Sequence, residues 1–152
     1  MANIMIIDGH TKFTESLSGA LFDAGHMIFW SVETDDVIEK VRTFMPDIVL
    51  FDIFLDGFER CDVLGRIKLE YPRLPVIIVT AYETHVRDSR FVQADGYIIK
   101  DIHTDKLVKK IEQMITDQAL NQNPPGEGKG GLHGHSNFRQ RRKNPRPLLS
   151  NH

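Results

Sequence analysis

The sequence predicts an α/β protein: a doubly wound, five-stranded parallel sheet with helices on both faces. Three observations support that expectation. Short apolar runs rich in Ile and Val recur along the chain, amphipathic stretches of helical spacing separate them, and chemically capable polar residues follow directly after the runs. Parallel strands covered on both faces read as nearly continuous apolar runs rather than as alternating ones. Successive strand–helix units pack most economically onto one sheet through right-handed crossovers.

The first run, Ile4–Ile7, is followed by Phe13, Leu17, Ala20, Leu21 and Ala24 at helical spacing, with Gly25 as a stop. Met27–Trp30 gives the second strand. Thr34 is then expected to cap a helix whose first turn holds Asp35 and Asp36, both favourable against the helix dipole. Ile48–Phe51 is the third strand, and Val63, Leu64 and Ile67 mark a helix that ends before Pro72. Val76–Val79 is the fourth strand. The helix expected over Thr84–Val92 has the weakest apolar face. Tyr97–Ile99 completes the sheet, and a last helix starting near Thr104 carries Leu107, Val108, Ile111, Met114 and Ile115.

A chain of 152 residues, 41% hydrophobic and 26% charged, fits one soluble domain with a substantial core. The single cysteine, Cys61, excludes an intrachain disulfide framework and suits a reducing compartment. No apolar run approaches the roughly 20 residues of a membrane span, and "MANIMIIDGH" lacks a basic signal-peptide start. A cytoplasmic location is expected. The net charge of −2 conceals an asymmetry: residues 120–152 carry six basic side chains against Glu127, a balance of +5, which leaves −7 on the rest. Residues 1–119 are therefore read as the folded domain. The Pro- and Gly-rich stretch 120–152 has no periodic apolar face to offset ordering entropy, and is read as a disordered basic tail.

In open parallel sheets, ligands bind beyond the carboxyl ends of the strands. Here those ends are Asp8, Asp52, Thr80 and Lys100, together with Ser31, to which no role is given. Singly, each is more often a turn, cap or surface residue. Jointly, two carboxylates, a hydroxyl and an ammonium suit phosphoryl transfer onto a carboxylate, with an aspartate as nucleophile. The anionic phosphoryl group needs neutralising, which a lysine and a carboxylate-bound divalent cation supply. All-oxygen ligation points to Mg²⁺. Thr80 can hydrogen-bond a phosphate oxygen, and the small Ala81 beside it eases access.

Across roughly Met1 to Gln118, "IMIIDGH", "PDIVLFDIFLDGFERCDVLGRIK", "LPVIIVTAY" and "ADGYIIKDI" together resemble the receiver domain of bacterial two-component response regulators. The resemblance implies the flavodoxin-like, CheY-like strand order 2-1-3-4-5 and phosphorylation by a histidine kinase or phosphotransfer protein. By position, Asp52 resembles the phosphoacceptor, Asp8 an acidic-pocket residue, Thr80 the switch hydroxyl, Lys100 the phosphate-contacting lysine and Tyr97 the switch aromatic. The backbone carbonyl of Phe54 resembles the metal-binding main-chain oxygen, so Asp8, Asp52 and Phe54 form the implied metal set. Asp101, where many receivers have proline, is similar to receivers of the NarL type. The implied output is binding of a downstream protein, with slow autodephosphorylation and a monomer or weak homodimer as the expected states.

One position departs from the pattern. Receivers usually have two adjacent acids after the first strand, whereas this chain has Asp8-Gly9. Loss of that carboxylate is expected to weaken Mg²⁺ binding by at least about ten- to a hundredfold. Asp8 can shift into the role on a pliable loop. His10 is the other donor nearby, although a lone histidine at a helix start is more often polar surface. The alternative reading is a pseudo-receiver, a protein-interaction module that works without phosphorylation. An aspartate-nucleophile phosphatase is disfavoured because Phe54 stands where its second acid belongs. A flavodoxin-like cofactor site is disfavoured because "DGHTKFTES" has a single glycine. The basic run "FRQRRKNPR" reads as a solvated tail, with neither nucleic acid nor membrane expected as a partner.

Overall fold

Backbone pairing joins the five apolar runs into one parallel sheet in the computed structural model, which describes residues 1–52, 54–55, 58–81, 93–100 and 103–122. In chain order the elements are β1 (Asn3–Ile7), α1 (Thr11–Asp23), β2 (Met27–Ser31), α2 (Val37–Phe44), β3 (Ile48–Phe51), β4 (Phe54–Leu55), β5 (Phe58–Glu59), α3 (Cys61–Glu70), β6 (Val76–Thr80), β7 (Gly96–Ile99) and α4 (Thr104–Gln122). The large sheet runs β2-β1-β3-β6-β7. Counting its own strands, that is the order 2-1-3-4-5. The helix expected over 84–92, Asp101 and the tail from residue 123 lie outside the described residues.

Alternation along the strands divides the core into two layers. Met5, Ile7, Val49, Phe51 and Ile78 face one way and pack with Val41 of α2 and with Leu64 and Ile67 of α3. Ile4, Ile6, Leu50, Val79 and Ile98 face the other way and pack with Leu17 and Leu21 of α1 and with Leu107 and Ile111 of α4. This explains why β1, β3 and β6 lack an alternating pattern: both of their faces are covered.

The stop at Gly25 takes a specific form. Gly25 lies at φ +99, its N–H donates to the Phe22 carbonyl at 2.9 Å, and the His26 N–H donates to the Leu21 carbonyl at 3.1 Å. These two bonds close the end of α1 in a Schellman arrangement, which needs a left-handed residue. Gly25→Ala is therefore expected to destabilise the fold by about 1–2 kcal/mol, although a Cβ there meets nothing within 4 Å. Urea unfolding of the variant checks this.

α2 departs from expectation. It starts at Val37 rather than near Thr34, because Asp36 adopts the left-handed region at φ 55 and breaks the turn there. Asp35 and Asp36 therefore precede the helix, and Thr34 contributes its carbonyl, which accepts the Val37 N–H at 3.2 Å, instead of a capping hydroxyl. A second difference is the antiparallel pairing of β4 with β5, a short hairpin separate from the main sheet. At the chain's other end, α4 runs on to Gln122, past residue 119 where the apolar spacing stops.

Beyond α3, the buried Tyr71 hydroxyl has no hydrogen-bond partner among the described residues. Burial, reinforced by the Glu70 charge, pushes the phenol up to about 12 from 10.0. A group raised in this way contributes stability that is intact below its unfolded value and is lost as pH rises through the folded one. Tyr71→Phe is accordingly expected to gain about 1 kcal/mol at neutral pH. It should also lose the part of the alkaline destabilisation that Tyr71 causes between pH 10 and 12. Denaturant midpoints at neutral and alkaline pH measure both effects.

Candidate functional site

β1 and β3 are neighbours in register, with Ile7 opposite Phe51, so the next residue of each strand emerges at the same rim. The ladder continues one step beyond the strands. The Asp52 N–H donates to the Ile7 carbonyl at 2.8 Å, and the Asp8 N–H donates to the Ser31 carbonyl at 3.1 Å. On the other side of β3, the Lys100 N–H donates to the Thr80 carbonyl at 2.9 Å. Asp8, Asp52, Thr80 and Lys100 therefore gather where the sequence pattern places them, at the carboxyl edge of the sheet. Ser31 contributes after all, through its backbone, by holding Asp8.

The side chains converge on one point. The Lys100 ammonium Nζ lies 2.8 Å from Asp8 Oδ2 and 2.7 Å from Asp52 Oδ2, with side-chain exposures of only 6%, 2% and 7%. Nζ is also 2.8 Å from His10 Nδ1 and 4.8 Å from the centre of the Phe13 ring, a cation–π distance. Two carboxylates and one ammonium leave this pocket with an excess negative charge. Burial raises the Asp8 carboxyl above its ordinary 3.8, against the pull of the Lys100 hydrogen bond and of the His10 backbone N–H at 2.8 Å from Oδ1. The ammonium makes burial of both carboxylates tolerable, because a buried charge requires a partner.

Asp8, His10 and Asp52 present ligand atoms that all lie within 4.8 Å of one another, a group that can hold a metal ion. His10 is thus not plain polar surface, despite its exposure. Behind Asp8, the Trp30 indole N–H donates to the Asp8 carbonyl at 2.9 Å. The sequence marks His10 only as a donor near Asp8 that is more often polar surface, while nothing local marks Phe13 or Trp30, each of which reaches a residue distant in the chain.

Thr80 is fully buried at the end of β6. Tyr97 is opposite Ile78 in the register and packs against the same core layer as Ile78. Thr80 and Tyr97 thus share one sheet face as diagonal neighbours on adjacent strands. Ala81, next to Thr80, is exposed. Phe54 opens β4, two residues after Asp52, with its backbone paired to Glu59.

Comparison with known proteins identifies the family and the fold. Residues 4–112 match the family model for the response regulator receiver domain. Over 121 residues the chain is 32% identical to the sensory transduction protein BceR of Halalkalibacterium halodurans, aligning 76% of this chain with 50% of that protein. The chain thus corresponds to about half the length of that curated relative. Among solved structures, the response regulator TrrA of Thermotoga maritima, in complex with Mg²⁺-BeF, superposes with a TM-score of 0.67 at 26% identity, covering 74% of this chain and 98% of TrrA. TrrA in complex with the histidine kinase ThkA matches equally closely, with a TM-score of 0.66 at 26% identity over 74% of this chain and 97% of TrrA. A CheY-like receiver protein of Methanospirillum hungatei shares the fold, with a TM-score of 0.71 at 24% identity over 80% of this chain and 98% of that one. No helix among the described residues is long and apolar enough to cross a membrane.

Proposed function

Because the chain belongs to the response regulator receiver family of two-component signalling, we propose that Asp52 accepts a phosphoryl group from a histidine kinase or phosphotransfer protein, and that the phosphorylated form changes its affinity for a downstream protein. The observation that carries this reading is the Lys100 ammonium held between two buried carboxylates at 2.7 and 2.8 Å. TrrA, seen both with Mg²⁺-BeF and in complex with the histidine kinase ThkA, supports the donor class.

One carboxylate oxygen of Asp52 attacks phosphorus, the bond from phosphorus to the donor's nitrogen breaks, and that nitrogen leaves with the electron pair. Lys100 is already positioned to exchange part of its carboxylate contact for a phosphoryl oxygen. The Thr80 hydroxyl, on the strand beside Asp52, donates to another phosphoryl oxygen. Asp8 and Asp52 offer oxygen donors that fit a hard divalent cation, the Phe54 carbonyl two residues after Asp52 would add a third, and the excess negative charge of the pocket favours cation entry. A dication held there, of the kind present in the TrrA Mg²⁺-BeF complex, would supply neutralising charge for the phosphoryl oxygens. Movement of Thr80 toward the phosphate opens space on the sheet face it shares with Tyr97, and the aromatic ring follows. A local charge event thereby biases a two-state surface.

The test is to incubate the full chain with a small phosphodonor and Mg²⁺ and measure intact mass. A single phosphoryl increment is expected. No increment, with the donor active on a control receiver, would replace this reading with the phosphorylation-independent pseudo-receiver.

A further inference from the structure

We propose that His10 is a third protein ligand in the Asp8–Asp52 pocket, supplying through Nδ1 the donor that Gly9 cannot, and that the pocket consequently prefers a first-row transition dication such as Mn²⁺ to Mg²⁺. This rests on reading the rim as a cation-holding pocket. It goes further by assigning a ligand and a metal preference.

The candidate ligands already converge on a cation. Lys100 Nζ sits 2.8 Å from Asp8 Oδ2, 2.7 Å from Asp52 Oδ2 and 2.8 Å from His10 Nδ1. Three potential ligand atoms from two separate loops thus already aim at one positive centre, and one ligand atom from each of the three residues lies within 4.8 Å of the others. The same contact picks out the ring nitrogen that would ligate. An ammonium is a donor only, so a hydrogen bond to it requires Nδ1 to carry the lone pair, which places the proton of a neutral ring on Nε2. That tautomer is the one able to ligate through Nδ1. The loop is also pre-organised. The His10 N–H donates to Asp8 Oδ1 at 2.8 Å, which ties the loop to one carboxylate oxygen and turns the other, Oδ2, toward the centre. His10 is solvent-exposed, so a cation has a route from bulk water.

Donor chemistry then sets the preference. Mg²⁺ favours oxygen ligands, whereas imidazole strengthens binding of transition dications. Two carboxylates and one imidazole form a mixed set; Mn²⁺ shares the oxygen preference of Mg²⁺ but, as a first-row transition ion, also gains from an imidazole donor, though less than the ions later in the series. A dication at this centre repels the ammonium, so Lys100 is released from His10 and becomes available to an incoming phosphoryl group.

The sole tryptophan provides a reporter, because the Trp30 indole is bonded to the Asp8 carbonyl at 2.9 Å. Trp30 fluorescence of the full chain is titrated with MnCl₂ and with MgCl₂, without phosphodonor, for wild type, His10→Ala and His10→Asp. Wild type is expected to bind Mn²⁺ more tightly than Mg²⁺. In His10→Ala that preference should shrink by at least about tenfold, the scale of losing a metal-site group. His10→Asp should favour Mg²⁺ relative to wild type. Pulsed electron paramagnetic resonance of the Mn²⁺ complex should show nitrogen hyperfine coupling in wild type and none in His10→Ala. Absence of that coupling in wild type, or an unchanged Mn²⁺/Mg²⁺ ratio in His10→Ala, overturns the proposal. The wild-type spectrum decides the matter even where a variant folds poorly. Nitrogen coupling without a phosphoryl adduct would leave this assignment standing and remove the phosphoacceptor reading; an adduct without nitrogen coupling would do the reverse.

Discussion

Asp52→Asn is expected to abolish phosphoryl uptake, lowering its rate by roughly 10⁴-fold or more, the scale on which loss of a reacting group acts. The amide has the size of the carboxylate and fits a position that is only 5% exposed. It can still accept a hydrogen bond from Lys100, while Asp8, 2.8 Å from the same ammonium, retains the charge pair. The fold should survive while the nucleophile is lost. Intact mass after exposure to a small phosphodonor, with circular dichroism as the folding control, makes the measurement. A phosphoryl increment of wild-type size in the variant would place the acceptor on another residue.

Lys100→Ala carries the second large effect, and it acts on two quantities. Without the ammonium, Asp8 and Asp52 face each other at the buried rim with ligand atoms within 4.8 Å and their shared counter-charge gone. Breaking a buried pair by removing one partner costs about 3–5 kcal/mol. Asp8 is already held above its ordinary value by burial, so removing the group that pulls it down raises it further. A raised carboxyl contributes stability that is lost as pH increases, so the deficit of the variant should shrink on acidification. A divalent cation should also restore stability, since it replaces the missing charge. Phosphoryl uptake should fall by roughly 10²–10³-fold, as when one preorganised donor to a reacting oxyanion is deleted. Urea unfolding with and without MgCl₂, over a pH series, tests the first effect, and the rate of adduct formation tests the second.

Much of this was legible in the sequence because the physics of parallel sheets is local. β1, β3 and β6 announce themselves as uninterrupted apolar runs, and the residues that follow them define the rim. The failures have equally physical origins. The late start of α2 depends on Asp36 adopting a left-handed backbone, which Asp tolerates but composition does not reveal. The β4–β5 pairing had a readable signal, Asp56-Gly57 between Phe54-Leu55 and Phe58-Glu59, yet two-residue strands are too short for alternation to register. His10 is readable as a donor close to Asp8, but its meeting with Lys100 is not, because that lysine lies 90 positions away. The same applies to Trp30, whose bond to Asp8 spans 22 positions and exists only because β1 and β2 are paired.

A structure of the full chain with beryllofluoride and a divalent cation tests the central claim most directly. The expected result is beryllofluoride on an Asp52 oxygen, with Lys100 Nζ and the Thr80 hydroxyl on its fluorines and the cation between Asp8 and Asp52. Beryllofluoride bound elsewhere, or a saturated crystal in which Lys100 keeps both carboxylates and no density joins Asp52, would contradict it.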